Sequence, residues 1–221
     1  MCGRFTLRSS MADVAKAFDL PDVPELFPRY NIAPTQGVPI VRLGEDERRH
    51  LTMVHWGLIP GWADDPKIGN RMINARGDTV ATKPSFRQAF KKRRCLVVAD
   101  GFYEWQQTGG PRKQPYYIRL KNDGPFAFAG LWERWSKGGT PIESCTIITT
   151  EPNELMAELH DRMPVILRPG AYGVWLDPAV QEPERLQPLL CPYPAGEMVA
   201  HPVSTVVNNP RNEQVECVAP V

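Results

Sequence analysis

The chain has 221 residues, 42% of them hydrophobic, which is enough for one sizeable core and, by default, one domain. A formal net charge of +1 gives no global field to attract nucleic acid, so any phosphate binding has to be local. No run of about 18 apolar residues occurs and the start MCGRFTLRSS lacks an apolar signal region, so the expectation is a cytoplasmic protein, neither exported nor inserted in a membrane.

The 23 prolines and 17 glycines predict short elements joined by turns and exclude long helices. In chain order, Ser10 with Asp13 resembles a capping box, and Val14, Ala17 and Phe18 recur at helical spacing, which predicts a short helix ending near Pro21. Residues 38–43 and 49–56 read as strands joined across Gly44-Glu45-Asp46. From Gly57 to about Pro84 there is no sustained period, and irregular stretches of that length are usually functional. Apolar runs at 95–99, 114–120, 125–132 and 144–150, separated mostly by glycine-rich turns, predict a meander of antiparallel strands. Pro152, Leu155, Met156 and Leu159 mark a helix that stops near His160, and another short helix is expected around 181–190. The class is therefore α+β: a twisted, barrel-like antiparallel sheet with peripheral short helices, over residues 1–221 as one domain.

The five cysteines (2, 95, 145, 191 and 217) are odd in number and include no CxxC pair, so reduced thiols and no structural metal are expected. Between Arg71 and Arg94 lie eight basic residues against one acid, Asp78. Such a run can neutralise several phosphates and release their counterions, although for Lys91 to Arg94 alone a solvated surface is the favoured reading.

Cys2 carries the most distinctive chemistry. Once Met1 is removed, residue 2 bears an α-amine and a thiol, with ordinary pKa values near ~8 and ~8.5, and either is a nucleophile close to neutrality. A 1,2-aminothiol condenses with an aldehyde to an imine, and its own thiol then closes a five-membered thiazolidine ring. That closure is intramolecular, with effective molarities that reach ~10⁵ M or more, so a hydrolysable imine becomes a durable linkage.

Cys2-Gly3-Arg4-Phe5 is followed in order by Arg29-Tyr30-Asn31-Ile32-Ala33-Pro34, Trp56-Gly57-Leu58-Ile59-Pro60-Gly61-Trp62, Asn74-Ala75-Arg76 and Asp100-Gly101-Phe102-Tyr103-Glu104-Trp105. His160-Asp161-Arg162-Met163-Pro164 and His201-Pro202-Val203-Ser204 close the series. Together these blocks resemble the SOS response-associated peptidase family, the abasic site processing proteins. The resemblance implies covalent capture of abasic sites in single-stranded DNA, shielding them during replication, with Cys2 as nucleophile. It further implies that Asn74 holds the sugar and the N-terminus, Glu104 acts as acid/base and His160 assists imine chemistry. The peptidase name reflects removal of Met1, by the chain itself or by an aminopeptidase.

Each assignment has a plainer alternative in the sequence. Glu104 reads as a surface carboxylate on a strand, His160 as a cation at a helix C-terminus and Asn74 as a turn residue. For DNA contact, Arg4 and Arg76 are the candidate phosphate or sugar clamps, with Trp62 and Trp105 as platforms for an unpaired base. Core packing is expected for Trp56, Trp132 and Trp175. The partner implied is single-stranded DNA with abasic sites, acted on by a monomer without cofactor, near the replication machinery and at the nucleoid in a bacterium. Two rivals share the Met-Cys-Gly start or the DNA partner: a class II glutamine amidotransferase-like N-terminal-nucleophile hydrolase, and a non-catalytic reader of modified bases.

Overall fold

The computed structural model describes residues 2–110 and 112–221. Strand β1 (Phe5–Leu7) is followed by helix α1 (Met11–Phe18) and by β2 (Arg29–Ile32), β3 (Gly37–Leu43) and β4 (Arg49–Trp56). After a 3₁₀ turn at Pro66–Arg71 come β5 (Asn74–Arg76) and helix α2 (Arg87–Lys92). The long strands follow: β6 (Arg94–Ala99), β7 (Gly101–Gln107), β8 (Lys113–Leu120), β9 (Phe126–Trp135) and β10 (Ile142–Thr150). The last part holds α3 (Glu154–Ala157), β11 (Met163–Pro164), β12 (Ile166–Leu167), α4 (Tyr172–Leu176), α5 (Pro183–Leu186) and β13 (Met198–Pro202).

Local sequence explains several of these elements directly. Ser10 Oγ accepts the Asp13 N–H at 3.1 Å and caps α1, Val14 and Phe18 bury one helical face, and Asp19 in the left-handed region (φ 54°) ends it. The continuous apolar run of β6 is buried at every position, as suits a strand covered on both faces. The helix expected to end near His160 is only α3, capped by Asn153 Oδ1, which accepts the Met156 N–H at 2.9 Å.

The ladders β4–β3, β3–β6, β6–β9 and β9–β10 are antiparallel, and β10 returns to β4 in parallel, so five strands close a barrel. A second sheet, in the order β13-β8-β7-β1-β2, is antiparallel throughout. The α+β class with a barrel-like sheet is thus the architecture found, but the simple antiparallel meander is not. Besides the barrel closure, β5 pairs with β10 in parallel, and β8 and β9 lie in different sheets. The reason is competition for edges: β9 pairs with β6 over six residues, while the free edge of β8 is taken by β13 from the end of the chain.

Aromatic contacts join the two sheets. Phe5 on β1 stands 5.1 Å from Trp56 and 5.9 Å from Phe128, and Phe102 on β7 is 5.9 Å from Phe128, all edge to face. The irregular segment 57–73 is pinned to the barrel. Gly57 has φ 135°, and a side chain there would lie 2.7 Å from the Gly69 carbonyl oxygen, so only glycine allows the two backbones to approach. Trp56 Nε1 donates to Ile73 O at 3.0 Å and thereby fixes the residue before Asn74. Trp56 and Trp175 are buried as expected, but Trp132 is only half-buried, with the Arg42 guanidinium covering its ring at 4.4 Å.

The last two members of the basic run are engaged inside the protein. Arg94 is 3% exposed and donates to five backbone carbonyls, those of Phe90, Lys91, Trp175, Asp177 and Val180, so it staples α2 to the α4 region. Arg93 pairs with Glu133 at 2.6 Å. Lysine has no planar fork to reach these carbonyls. Arg94→Lys is expected to lower stability by roughly 3 kcal/mol, because several buried acceptors lose their donor. Chemical denaturation measures this, and an unchanged midpoint would show that the staple contributes nothing.

Candidate active site at the amino terminus

The first residues are held along β7. Phe5 lies opposite Phe102, and the Tyr103 N–H donates to Arg4 O at 3.0 Å, so the chain before Arg4 runs alongside Glu104. Asn74, delivered by β5, donates from Nδ2 to the Cys2 carbonyl at 2.8 Å. Its Oδ1 is buried without a hydrogen-bond partner among the described residues and remains available to a ligand. Cys2, Asn74 and Glu104 are therefore brought together from three elements that are distant in sequence.

Burial dominates the electrostatics. Cys2 has no exposed surface, and desolvation pushes its thiol far above the ordinary range, with the nearby Glu104 charge acting in the same direction. The thiol expected from sequence to be reactive near neutrality is thus held protonated, so its activation depends on a base. Glu104 is 3% exposed, and burial raises its carboxyl to about 7 against the opposing pull of positive charge that includes Lys113. The surface-carboxylate alternative does not hold. Glu104 faces the interior of the site, opposite Tyr116 in the β7–β8 ladder.

His160 follows α3 at the edge of the site and is half-buried. Burial lowers its pKa more than Asp161 raises it, which favours neutral imidazole. Its Nδ1 lies 3.0 Å from the Arg162 backbone N and 2.7 Å from Asp161 Oδ1. The neutral ring accepts the first contact, and the protonated ring donates to the second. Gln106 Nε2 donates to Glu158 O at 3.0 Å and ties this loop to β7.

The expected DNA contacts divide. Arg4 Nη1 donates to Asn31 Oδ1 at 2.6 Å and Val207 O at 2.8 Å, and its guanidinium lies 5.7 Å over the Trp105 ring. Trp105 is half-buried, with its indole N–H on Asn208 Oδ1 at 2.7 Å. Arg76 shares a face of β5 with Asn74 and is exposed, but Asp78 engages it at 2.7 and 3.2 Å. Trp62 is 54% exposed beside the Ile59, Ala63 and Trp135 cluster, where its carbonyl accepts from Lys137 Nζ at 2.7 Å. That contact ties the Trp62 backbone to the β9–β10 hairpin and leaves its indole exposed.

Sequence reasoning passed over Arg162 and Asn31. Arg162 Nη2 donates to Thr149 O at 2.6 Å and Oγ1 at 3.2 Å, 3.9 Å separates its Nη1 from Asp78, and its buried Nε has no partner among the described residues. It sits two residues from His160, which was the available signal. Among the described residues no group of His, Cys, Asp or Glu is arranged to hold a metal ion.

Because burial raises the Glu104 carboxyl, folding favours its protonated form. That contribution is full below the usual carboxylate range and is lost as pH rises through about 7. Glu104→Gln should therefore stabilise the protein increasingly from pH 5 to pH 8, by up to about 3 kcal/mol. Thermal melts across this range check it, and a difference independent of pH would place the carboxyl at its ordinary value.

A family model described as SOS response associated peptidase (SRAP) matches residues 1–210. The abasic site processing protein YoaM of Bacillus subtilis is 47% identical over 220 residues, which covers 98% of this chain and 96% of that protein. The abasic site processing protein YedK of Escherichia coli is 34% identical over 230 residues, covering all of both chains, and HMCES of Gallus gallus is 35% identical over 226 residues, 88% of this chain and 66% of its own. Among solved structures, a protein from Bacteroides thetaiotaomicron superposes with a TM-score of 0.87 at 27% identity, covering 100% of both chains.

Proposed function

The chain belongs to the SOS response-associated peptidase family, and from that premise we propose that it processes abasic sites in single-stranded DNA by capturing the sugar aldehyde covalently on Cys2. The observation that carries this reading is the convergence of Cys2, Asn74 and a buried Glu104 at one point, with Glu104 titrating near 7. The three relatives described above are abasic site processing proteins, which supports it.

Removal of Met1, by the chain or by an aminopeptidase, comes first, because an amide nitrogen does not attack a carbonyl. An abasic sugar is mostly a closed hemiacetal. Glu104 takes the hemiacetal hydroxyl proton and returns a proton to the ring oxygen as the ring C–O bond breaks, which yields the aldehyde. A carboxyl near 7 is suited to both halves of that exchange. The Cys2 amine then adds to the aldehyde carbon, and neutral His160 passes protons as the carbinolamine loses water. Finally the thiol adds to the imine carbon while its proton goes to the nitrogen, so aldehyde and aminothiol become thiazolidine and one water. An imine that is not locked can undergo β-elimination, which is a lyase outcome. Asn74, with Nδ2 on the Cys2 carbonyl and Oδ1 unpartnered, orients the residue and receives the sugar. The linkage would shield the abasic site during replication.

The test is denaturing electrophoresis of the protein with an oligonucleotide carrying one abasic site, alongside intact mass. Active protein should lack one methionine and give a heat-stable adduct. Cys2→Ala, with Met1 removed, should lose that adduct yet be trapped by borohydride, since the amine survives. Glu104→Gln should slow capture by ~10²–10⁴-fold. A stable adduct on Cys2→Ala without reductant would remove Cys2 from the locking role, and hydrolysis of glutamine without any adduct would point to the amidotransferase-like rival.

A further inference from the structure

Beside Trp105 opens a groove of about 550 Å³, lined by Arg4, Trp105, Arg112, Lys113, Thr205 and Asn208. Its charge is of one sign, three cations without a carboxylate. Two of its walls are fixed in place: Arg4 by Asn31 Oδ1 and Val207 O, and the indole of Trp105 by Asn208 Oδ1. Arg112 and Lys113 lie at the start of β8, where Lys113 pairs with Gln107 at the end of β7. The groove borders the site: Arg4, which lines it, is two residues from Cys2, and the charge of Lys113 reaches both Glu104 and His160, although Trp105 projects from the opposite face of β7 to its neighbour Glu104.

On the other side of the site the electrostatics differ. Arg76 is the exposed cation next to Asn74, and Asp78 already holds it through two contacts. A phosphate there competes with an internal carboxylate, whereas Arg112 and Lys113 in the groove form no ion pair with a carboxylate among the described residues. Aligned cations beside an aromatic face and a polar wall match a phosphodiester strand with an unpaired base.

We infer that this groove seats the nucleotides on one side of the captured sugar, with Arg112 and Lys113 taking phosphates and the Arg4–Trp105 pair supporting a base, and that the strand is held more strongly on this side than on the Arg76 side. The inference rests on the reading of the substrate as single-stranded DNA, but not on the covalent step. Exposed lysine and arginine side chains at a hairpin end do not stabilise the fold appreciably, so their removal should weaken binding without lowering stability.

The experiment is equilibrium binding, by fluorescence anisotropy, of oligonucleotides carrying a tetrahydrofuran abasic analogue, which has no aldehyde and cannot crosslink. Three probes are used: strand on both sides of the analogue, on its 5′ side only and on its 3′ side only. Relative to the unsubstituted protein, Arg112→Ala/Lys113→Ala should bind the two-sided probe and one of the one-sided probes about tenfold more weakly. On those probes the slope of log affinity against log salt should fall by about 1.4, the value for two single-strand phosphate contacts. The remaining one-sided probe should be bound equally by both proteins, and thermal melts should coincide. Equal affinity on all three probes, or an equal loss on all three, would overturn the assignment. Failure of covalent capture on an aldehyde-bearing oligonucleotide, with the one-sided loss intact, would fall on the crosslinking chemistry and leave the groove standing.

Discussion

Residue 2 can do directed chemistry only if the first residues of the chain are held still, and chain ends ordinarily fray. Here the first strand lies between β7 and β2, Phe5 is driven into the aromatic cluster over the barrel, and the Cys2 carbonyl accepts from Asn74. The far end of the chain adds a strap. Buried Asn31 on β2 lies within 3.2 Å of three carbonyls of the C-terminal segment, those of Val207, Asn209 and Asn212, while its Oδ1 receives Arg4. Glu213 accepts from the Tyr30 and Asn31 N–H groups and from the Arg29 side chain. Both termini are therefore bound into one network, and the position of Arg4 depends on residues more than 200 positions away.

That fixed geometry determines how charge behaves at the site. Removing Cys2 from water makes its thiolate expensive, and removing Glu104 from water brings its carboxyl to about 7. A protonated thiol beside a carboxyl that is partly protonated at neutral pH is poorly suited to direct thiolate attack. It is well suited to a sequence in which an amine attacks first and the thiol follows. His160, held towards neutrality by burial, fits the same regime. Under the proposed reading the three groups avoid permanent charge and exchange protons only as substrate atoms change valence.

How far the sequence could be read depended on the range of the forces involved. Strands with long apolar runs, such as β6 and β9, and the Ser10-capped helix were legible because their signals are local. Strands of three residues, β1 and β5, were not, since no period can be seen in so short a segment. Their partners are remote, as when Asn74 pairs with Ile147. The division into two sheets was hidden because the Asn122-Asp123-Gly124 turn looks like any hairpin turn, while the strands on either side of it go to different partners. The basic run misled for a similar reason. Lys91 and Arg94 look alike in sequence, and the remote carbonyls of Trp175, Asp177 and Val180, which join the local ones of Phe90 and Lys91, make Arg94 internal. Of the candidate site, Cys2 was legible from chemistry, since no other position offers both an amine and a thiol. Glu104, Asn74 and His160 were legible only through the surrounding motifs.

Complete burial of the proposed nucleophile has a further consequence. Buried thiols are inert to oxidants and to disulfide exchange, because both require an accessible thiolate. Cys2 is thus protected by the same desolvation that suppresses its ionisation, whereas Cys191, also free, is exposed. The site then discriminates by what the ligand brings. A diffusing oxidant or disulfide meets a neutral thiol with no anion to attack it. An aldehyde held by Asn74 and opened by Glu104 can instead form an imine, and the imine carbon is electrophilic enough to accept a thiol whose proton is transferred in the same step. Under this scheme burial and reactivity are compatible because the substrate's own conversion to an imine supplies the activation that the surroundings withhold.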